Sequence, residues 1–369
     1  MVLDTTFVPA AIDRIRAAAA AGTALRIHGG GSKNFYGQSL EGDVLDTTPL
    51  KGVVSYEPSE LVVTALAGTP LAELEALLLA QGQCLPFEPP HFSPNSTVGG
   101  MVAAGLSGPA RASVGAVRDY VLGVKLINGK GEHLTFGGQV MKNVAGYDVS
   151  RLMVGAMGTL GLLLEVSLKV LPIAPLEATL KFEMPQAQAL SQLNSWGGQP
   201  LPLNASCWLE EGGVGTLYLR LRGAVAAVDA ACARLGGQRL SNVQAAADWA
   251  LCRDQQLPWF KARTDTQDLW RLSVPQTTPP LDLPESPLIE WHGGQRWVRA
   301  DAAQGLRLRE MAAIAGGSAT LFIAARARQM AATARFDTLK PPLDRIHCEL
   351  KREFDPAGVF NPHRMHRDW

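Results

Sequence analysis

The sequence lacks an excess of charge of either sign, because 34 Lys and Arg residues are balanced by 34 Asp and Glu residues. A nucleic-acid-binding protein needs surplus Lys and Arg to neutralise phosphates, so the composition argues against a nucleic-acid partner. Long hydrophobic runs are missing as well. Predominantly apolar stretches such as 101–106 and 319–325 fall far short of the ~18–20 residues that cross a bilayer. We therefore predict that the chain is not an integral membrane protein.

Cysteine is also scarce, with five residues in 369. Their odd number, their wide spacing and the absence of a Cys-x-x-Cys pair argue against a disulfide framework, a zinc site or an iron–sulfur cluster. We expect buried thiols and no metal site. The N-terminus lacks the basic start and apolar core of a signal peptide, which predicts a cytoplasmic location. The cysteines are Cys84, Cys207, Cys232, Cys252 and Cys348.

Three regions differ in their sequence pattern, and the length fits two or three domains. The first, residues 1–175, is glycine-rich and mixes strands with short helices. The second, residues 176–340, begins with a β-α-β-β-α order that a strand near residue 238 completes as a ferredoxin-like unit. Later strands and a helix in this region are interpreted as a partial second unit. The third region, residues 341–369, is predicted to be a helix followed by a proline-punctuated tail.

Local signals predict the elements that flank the glycine-rich segments. Helices are expected at 9–21 and 70–81, the second with Thr69 as its N-cap. The pattern at 121–127 and 132–136 is typical of a β-hairpin. A long strand is predicted at 162–171.

Two glycine turns are the candidate binding segments. The turn at 29–34 directly follows a predicted strand, and the turn at 96–100 leads into a slender helix that ends at Gly105. Glycine lets the backbone approach a ligand closely, so that successive N–H groups can point at one anion. A single glycine triplet fits a plain turn equally well, whereas two such turns favour a long anionic cofactor. The glycines at 155, 158 and 161 precede a strand, which excludes the Rossmann dinucleotide fingerprint.

Further motifs follow these turns in a fixed order along the chain. Together the motifs resemble the vanillyl-alcohol oxidase/p-cresol methylhydroxylase (PCMH) type of FAD-binding proteins, over about residues 20–172 and more loosely over 341–365. In chain order they are Gly29-Gly30-Gly31-Ser32, Ser96-Thr97-Val98-Gly99-Gly100, Arg111-x-x-x-Gly115-x-x-Arg118-Asp119, Lys142-Asn143-Val144-Ala145-Gly146-Tyr147-Asp148, Gly158-Thr159-Leu160-Gly161 and Phe354-Asp355-Pro356-x-Gly358-x-Phe360-Asn361-Pro362.

The resemblance implies an α+β fold with FAD as the cofactor. A two-lobed PCMH-type FAD-binding domain is expected over 1–175, with lobes of about 1–50 and 51–175, and a smaller ferredoxin-like α+β cap domain over 176–340. The segment 341–369 is expected to return to the FAD domain. Family members that bind flavin covalently place a His after the glycine pair of the first turn, where this chain has Gly31. We therefore expect non-covalent FAD, with His28 an ordinary histidine at a strand end.

The resemblance also assigns the expected FAD contacts by position in the motifs. A turn acceptor or a salt bridge is an equal alternative for Asp119, as is an exposed turn for Asn143. The pyrophosphate set is Gly29, Gly30, Gly31, Ser32, Lys33, Asn34, Ser96, Thr97, Gly99 and Gly100. The remaining contacts are Gly105, Arg111 and Gly115 on the flavin side, Asp119, Asn143, Gly158 and Gly161 toward the adenosine and ribityl groups, and Asn361 near the flavin ring.

Within this family, the short cap and the compact length are most similar to the smaller FAD-binding subunits of bacterial glycolate oxidase (glycolate dehydrogenase) complexes. The resemblance implies a part in oxidising glycolate, a 2-hydroxy acid, to glyoxylate. The implied partners are a larger flavin subunit and an iron–sulfur subunit, through which the chain is expected to reach the inner face of the membrane. Two alternatives stay open: a non-catalytic FAD-carrying relay or assembly subunit, and a stand-alone flavin dehydrogenase for 2-hydroxy acids.

The residues that would contact a substrate are less well marked, and no catalytic residue is predicted. Arg326 or Arg328, just beyond a predicted strand, could bind a substrate carboxylate. A solvated or partner-docking surface is the favoured alternative for this basic stretch. His292 and His347 are interpreted as core or solvated histidines rather than metal ligands.

Overall fold

The computed structural model describes residues 6–138, 148–326 and 334–366, and the chain divides into two compact units. Unit 1 comprises residues 1–106, 116–172 and 338–369, and unit 2 comprises residues 107–115 and 173–337. The strands are β1 (Leu25–His28), β2 (Asp43–Asp46), β3 (Val53–Glu57), β4 (Val62–Leu66), β5 (Gln83–Cys84), β6 (Val121–Ile127), β7 (His133–Gly137), β8 (Leu162–Lys169), β9 (Leu171–Pro172), β10 (Leu176–Glu183), β11 (Leu203–Glu211), β12 (Val214–Gly223), β13 (Gln238–Arg239), β14 (Asp268–Ser273), β15 (Leu288–Glu290), β16 (Gln295–Ala300) and β17 (Ser318–Ile323). The helices are α1 (Phe7–Ala21), α2 (Leu71–Ala80), α3 (Val98–Ala104), α4 (Arg111–Val114), α5 (Val149–Leu152), α6 (Gln186–Gly197), α7 (Val225–Leu235), α8 (Asn242–Arg253), α9 (Pro258–Lys261), α10 (Gly305–Ile314) and α11 (Leu343–Phe354).

Unit 1 contains two main sheets. Strands β1 and β2 pair in parallel, and the antiparallel sheet has the order β3-β4-β8-β6-β7. Buried side chains of α2 and α3, such as Leu74 and Met101, form one hydrophobic cluster with strand residues such as Val63 and Val166. A second cluster joins α1 to β1 through Ile15 and Leu25. These apolar faces place the end of β1 and the start of α3 within one folded body.

The C-terminal segment is part of unit 1 because its backbone pairs with β1. The amide of Leu25 donates to the carbonyl of Val359 at 2.7 Å, and the amide of Asn361 donates to the carbonyl of Leu25 at 2.9 Å. Phe360 is fully buried between these bonds. Residues 359–361 therefore complete the edge of the β1 strand.

A buried ion pair fixes the C-terminal segment. Lys351 Nζ donates to Asp355 Oδ2 at 2.7 Å, to the carbonyl of Thr159 at 2.8 Å and to the carbonyl of Phe360 at 3.0 Å. The Asp355 carboxylate in turn accepts from the amides of Val359 and Phe360. Burial lowers the pKa of the Lys351 ammonium, and the Asp355 carboxylate opposes that shift. The two buried charges thus compensate each other, and removing either side chain would leave the other charge buried without a counter-ion.

We expect Lys351→Met to destabilise the chain by about 3–5 kcal/mol, because it leaves the Asp355 carboxylate buried without its cation. The matched control is Lys130→Met, which breaks an exposed pair with Glu353 and should change the free energy of unfolding by about 1 kcal/mol or less. Denaturant titration of both variants measures the difference. Equal effects of the two substitutions would contradict the structural role of the buried pair.

Unit 2 is built on one antiparallel sheet of the order β13-β10-β12-β11-β15-β16-β14-β17. The first four strands have the order of a ferredoxin-like unit, which confirms that part of the predicted fold. Strands β14 to β17 repeat this order from the other edge of the sheet, as β17-β14-β16-β15, with α10 between β16 and β17. They form the partial second unit that the sequence predicts, without a helix between β14 and β15. The edge of β11 pairs with β15 across Cys207 and Glu290, so the later strands continue the same sheet instead of leaving an exposed edge.

Other sequence predictions were wrong at element ends or missed an element. Thr69 does not cap α2: its hydroxyl bonds both the amide and the carbonyl of Gly52, and the helix begins after Pro70. The predicted strand 162–171 splits, because β9 leaves β8 to pair with β5. Helix α8 and strand β14 were not predicted at all. The β6–β7 hairpin is confirmed.

All five cysteines lie in the described ranges and none forms a disulfide. Cys207 and Cys252 are buried as expected, whereas the other three are half-buried. Of the helices in the described ranges, none combines the length and the apolar character needed to cross a membrane.

Candidate functional site

The two glycine turns of unit 1 touch each other through their backbones. A Cβ atom built on Gly30 would lie 1.4 Å from the carbonyl oxygen of Asn95, and one on Gly29 would lie 2.7 Å from Thr97 Oγ1. No residue with a side chain fits at Gly30, since real Cβ atoms do not approach other atoms below 3 Å. The two turns that the sequence analysis assigns to one pyrophosphate therefore lie in direct backbone contact.

The first turn presents main-chain donors to a groove. Among the described residues, none accepts a hydrogen bond from the amides of Gly29, Gly30, Gly31 or Ser32. Gly31 has a φ of 70°, a conformation that glycine adopts without strain. The groove is lined by the whole 29–34 turn together with Ile27, Leu40, Thr97, Gly100, Ala103, Ala104, Met157, Asn361 and Arg364. Successive unused amides in such a turn form an anion-binding concavity.

Lys33 joins the two turns and adds a positive charge. Its Nζ donates to Ser96 Oγ at 2.8 Å and to Ser32 Oγ at 3.1 Å. Ser96 is 1% exposed, whereas Lys33 is half-buried. The ammonium is thus held between a serine of each turn, next to the amides that line the groove.

The second turn begins α3, and its glycines have different roles. Thr97 caps the helix by accepting from the amide of Gly100 at 3.2 Å. The amide of Gly99 donates to the carbonyl of Ala67 at 2.7 Å, and a Cβ on Gly99 would lie 2.8 Å from Ala67 Cβ. Gly99 therefore packs α3 against the core and does not offer its amide to a ligand. Gly100 faces the groove.

The C-terminal segment closes the other side of the groove. Asn361 Oδ1 accepts from the amide of Ile27 at 2.9 Å, and its Nδ2 donates to the carbonyl of Met157 at 2.7 Å. The guanidinium of Arg364 donates to the carbonyls of Asn34, Tyr36 and Gln38. Sequence reasoning missed Arg364, because it lies in an aperiodic tail where no local signal marks a buried side chain.

Several other predicted contact residues have packing or turn roles. Cβ atoms built on Gly105, Gly158 and Gly161 would meet neighbouring atoms at 2.9, 2.6 and 3.0 Å, so these glycines allow close packing of neighbouring segments. Asp119 Oδ2 accepts from the amide of Ala116 at 2.8 Å, which is the turn-acceptor alternative.

The remaining predicted residues are not brought to the groove by any described contact. Arg111 and Gly115 belong to unit 2. Asn143 and Arg328 lie outside the described residues. Arg326 is strongly exposed and lies 3.5 Å from Asp265, so its charge already has an acidic neighbour.

The residues of the groove fit a diphosphate. Four unused amides of one turn and a lysine ammonium both favour bound negative charge. Because Gly30 approaches the carbonyl of Asn95 closely, no side chain can occupy this position and the main chain stays accessible. FAD is a dinucleotide cofactor whose two negative charges lie on its diphosphate. The donors of this groove suit that group.

Comparison with known proteins gives the family. A family described as "FAD binding domain" matches residues 8–137. The glycolate oxidase subunit GlcE of Escherichia coli (strain K12) is 43% identical over 368 residues, which covers 100% of both chains. The chain belongs to the GlcE family. Its cofactor is FAD.

More distant relatives share the FAD-binding part or the fold. A D-lactate dehydrogenase of Anaerostipes hadrus is 33% identical over 131 residues, covering 36% of this chain and 27% of the relative. A solved structure of alkyldihydroxyacetonephosphate synthase covers 95% of this chain and 74% of its own, with a TM-score of 0.64 and 15% identity. That likeness supports the PCMH-type fold of this GlcE family member.

We expect Gly30→Ala to abolish FAD binding, because the new methyl group would push the 29–34 turn away from Asn95 and misalign its amides. The control is Gly197→Ala, where no atom lies within 4 Å of the added Cβ. Flavin fluorescence titration of the apoprotein measures binding, and thermal unfolding checks that both variants fold. Tight FAD binding by folded Gly30→Ala would contradict the assignment of this turn.

His292 in unit 2 is buried with two serine partners. Its Nε2 lies 3.0 Å from Ser113 Oγ, and its Nδ1 lies 3.1 Å from Ser206 Oγ. Burial lowers the pKa of the imidazole from 6.5 to about 4. The ring is therefore neutral near pH 7, as the sequence interpretation of a core histidine requires.

This lowered pKa predicts a loss of stability on acidification. Between pH 6.5 and about 4 the unfolded chain binds a proton at this imidazole that the folded chain does not bind. The free energy of unfolding should therefore fall by about 1.4 kcal/mol per pH unit over that window from this group alone. The difference in the free energy of unfolding between wild type and His292→Asn, measured by denaturant titration, should therefore shrink as the pH is lowered through this window. A difference that is constant with pH would contradict the burial of a neutral ring.

Proposed function

We propose that this chain is the FAD-binding subunit of a glycolate oxidase complex and takes part in oxidising glycolate to glyoxylate. The observation that carries the proposal is the match to GlcE over 100% of both chains at 43% identity. The match to a D-lactate dehydrogenase, which covers 27% of that relative, supports 2-hydroxy acids as the substrate class of the complex. A subunit of such a complex works with other subunits.

The groove supplies the residues for non-covalent FAD binding. The amides of Gly29, Gly30, Gly31 and Ser32 donate to the diphosphate, while Lys33 neutralises part of its charge. Gly31 has no side chain at the position where family members with covalent flavin carry a His. The chemistry that FAD would supply when bound is to accept the two electrons that leave the substrate carbon. The protein supplies orientation and a fixed set of donors around the cofactor.

The partners follow from the same proposal. We assign electron transfer out of the chain to an iron–sulfur subunit, and the second flavin to a larger subunit of the complex. A place in the cytoplasm, at the inner face of the membrane through these partners, remains part of this proposal.

Flavin spectroscopy of the purified full-length chain tests the proposal. We expect one FAD to bind per chain and to be released by denaturation without proteolysis, as non-covalent binding requires. Failure of the folded chain to bind FAD on reconstitution would overturn the proposal.

Anaerobic addition of glycolate or lactate to the FAD-loaded chain then separates the roles within the complex. Bleaching of the flavin absorbance by the isolated chain would locate substrate oxidation in this subunit. A flavin that stays oxidised until the partner subunits are added would assign the chain a relay or assembly role. The Gly30→Ala variant serves as the FAD-free control in both measurements.

A further inference from the structure

The turn between β15 and β16 of unit 2 holds two side-chain-bearing residues in a strained conformation. Trp291 has a φ of 54° and His292 a φ of 55°, the left-handed region that bulky residues avoid. Such strain persists where the surroundings fix it, and it clusters at functional sites. Contacts from segment 107–115 help to hold this turn, together with Ser206 and Gln276. Trp291 Nε1 donates to the carbonyl of Gly108 at 3.0 Å, and the Arg111 guanidinium lies 4.4 Å from the centroid of the Trp291 ring.

The hydrogen bonds around His292 determine where its proton lies. Ser206 is 1% exposed, and its Oγ already accepts from the amide of His292 at 2.9 Å. A buried hydroxyl hydrogen needs an acceptor, and among the described residues His292 Nδ1 is the acceptor within reach of Ser206. Ser206 therefore donates to Nδ1. A neutral imidazole has one proton, so that proton lies on Nε2.

This tautomer orients the hydroxyl of Ser113. His292 Nε2 donates to Ser113 Oγ, so the oxygen of Ser113 is the acceptor in that bond and its own hydrogen points elsewhere. Ser113 is exposed, and within the described parts of the chain no other side chain or carbonyl takes this hydrogen. The hydrogen-bonded series Ser206–His292–Ser113 thus ends in a hydroxyl whose hydrogen points away from His292 and can be donated to a ligand.

We propose that Ser113 is a binding residue for a small carboxylate, held in its donor orientation by His292 and Ser206. That the carboxylate belongs to a 2-hydroxy acid rests on the function proposed above. An outward hydroxyl donor suits a carboxylate oxygen, and Arg111 adds positive charge in the same short segment. Arg326, the carboxylate ligand suggested by sequence, already lies beside Asp265. His292 is a positioning residue in this arrangement, and Ser113 makes the contact.

Calorimetric titration of the FAD-loaded full chain with oxalate, a carboxylate that cannot be oxidised as a 2-hydroxy acid, tests the contact. We expect Ser113→Ala to weaken oxalate binding about tenfold, the effect of losing one hydrogen bond to a charged group. The matched control is Ser318→Ala, an exposed serine at the start of β17, which should leave the affinity unchanged. The neutral analogue glycolamide should bind wild type and Ser113→Ala equally weakly.

Two substitutions at His292 separate positioning from packing. His292→Asn tolerates the positive φ but is too short to reach Ser113, so it should weaken oxalate binding as Ser113→Ala does. The longer amide of His292→Gln places a donor near the position of Nε2 and should restore part of the affinity. Nitrogen-15 NMR of the histidine ring provides a readout apart from binding, because a protonated Nε2 and a bare Nδ1 are expected in wild type.

The outcomes distinguish this inference from the proposed function. Equal oxalate affinity in wild type and Ser113→Ala, no detectable oxalate binding to wild type, or a proton on Nδ1 would overturn the inference. FAD content is measured in each sample. A variant series that retains FAD but shows no change in oxalate binding leaves the proposed function standing, whereas failure of wild type to bind FAD counts against the proposed function alone.

Discussion

The organisation of unit 1 depends on one backbone contact, the approach of Gly30 to the carbonyl of Asn95. Because a Cβ at Gly30 would lie 1.4 Å from that oxygen, the two turns can meet only as bare main chain. Their meeting puts the unused amides of the first turn beside the helix that starts at the second. Lys33 then spans the junction by bonding a serine from each turn. The candidate anion site is thus assembled mainly from the backbone, whose dipoles need no reorganisation when negative charge arrives.

A site made of main-chain donors needs rigid support, and the C-terminal segment provides it. Asn361 fixes the amide of Ile27, just before the first turn, while Arg364 fixes three carbonyls that follow it. The turn is therefore held at its entry and at its exit by residues more than 320 positions away in sequence. The Lys351–Asp355 pair secures that segment in turn. Formation of the groove and folding of the C-terminal segment are consequently coupled.

The two turns could be predicted from the sequence, because glycine used against strand and helix propensity is a local signal. The fold class followed from the resemblance of several ordered motifs to a known family. The roles of individual glycines could not be predicted. Gly99 and Gly100 are adjacent and alike in sequence, yet one packs against Ala67 and the other lines the groove. Likewise, nothing in the local pattern of β15 shows that it pairs with β11 and extends the ferredoxin-like sheet. Such features depend on contacts between distant segments, which a local pattern does not encode.

Arg364 and Ser113 illustrate the same limit in the two units. A buried arginine is tolerated only where acceptors satisfy its guanidinium, and the carbonyls that do so for Arg364 come from the other end of the chain. The donor orientation of Ser113 depends on His292 and, beyond it, on a single buried hydroxyl of β11. In each unit a residue near a candidate ligand position is thus oriented by partners from distant parts of the sequence. Orientation of this kind is inherited from the fold, and it explains why residues far from a ligand can determine how well it is bound.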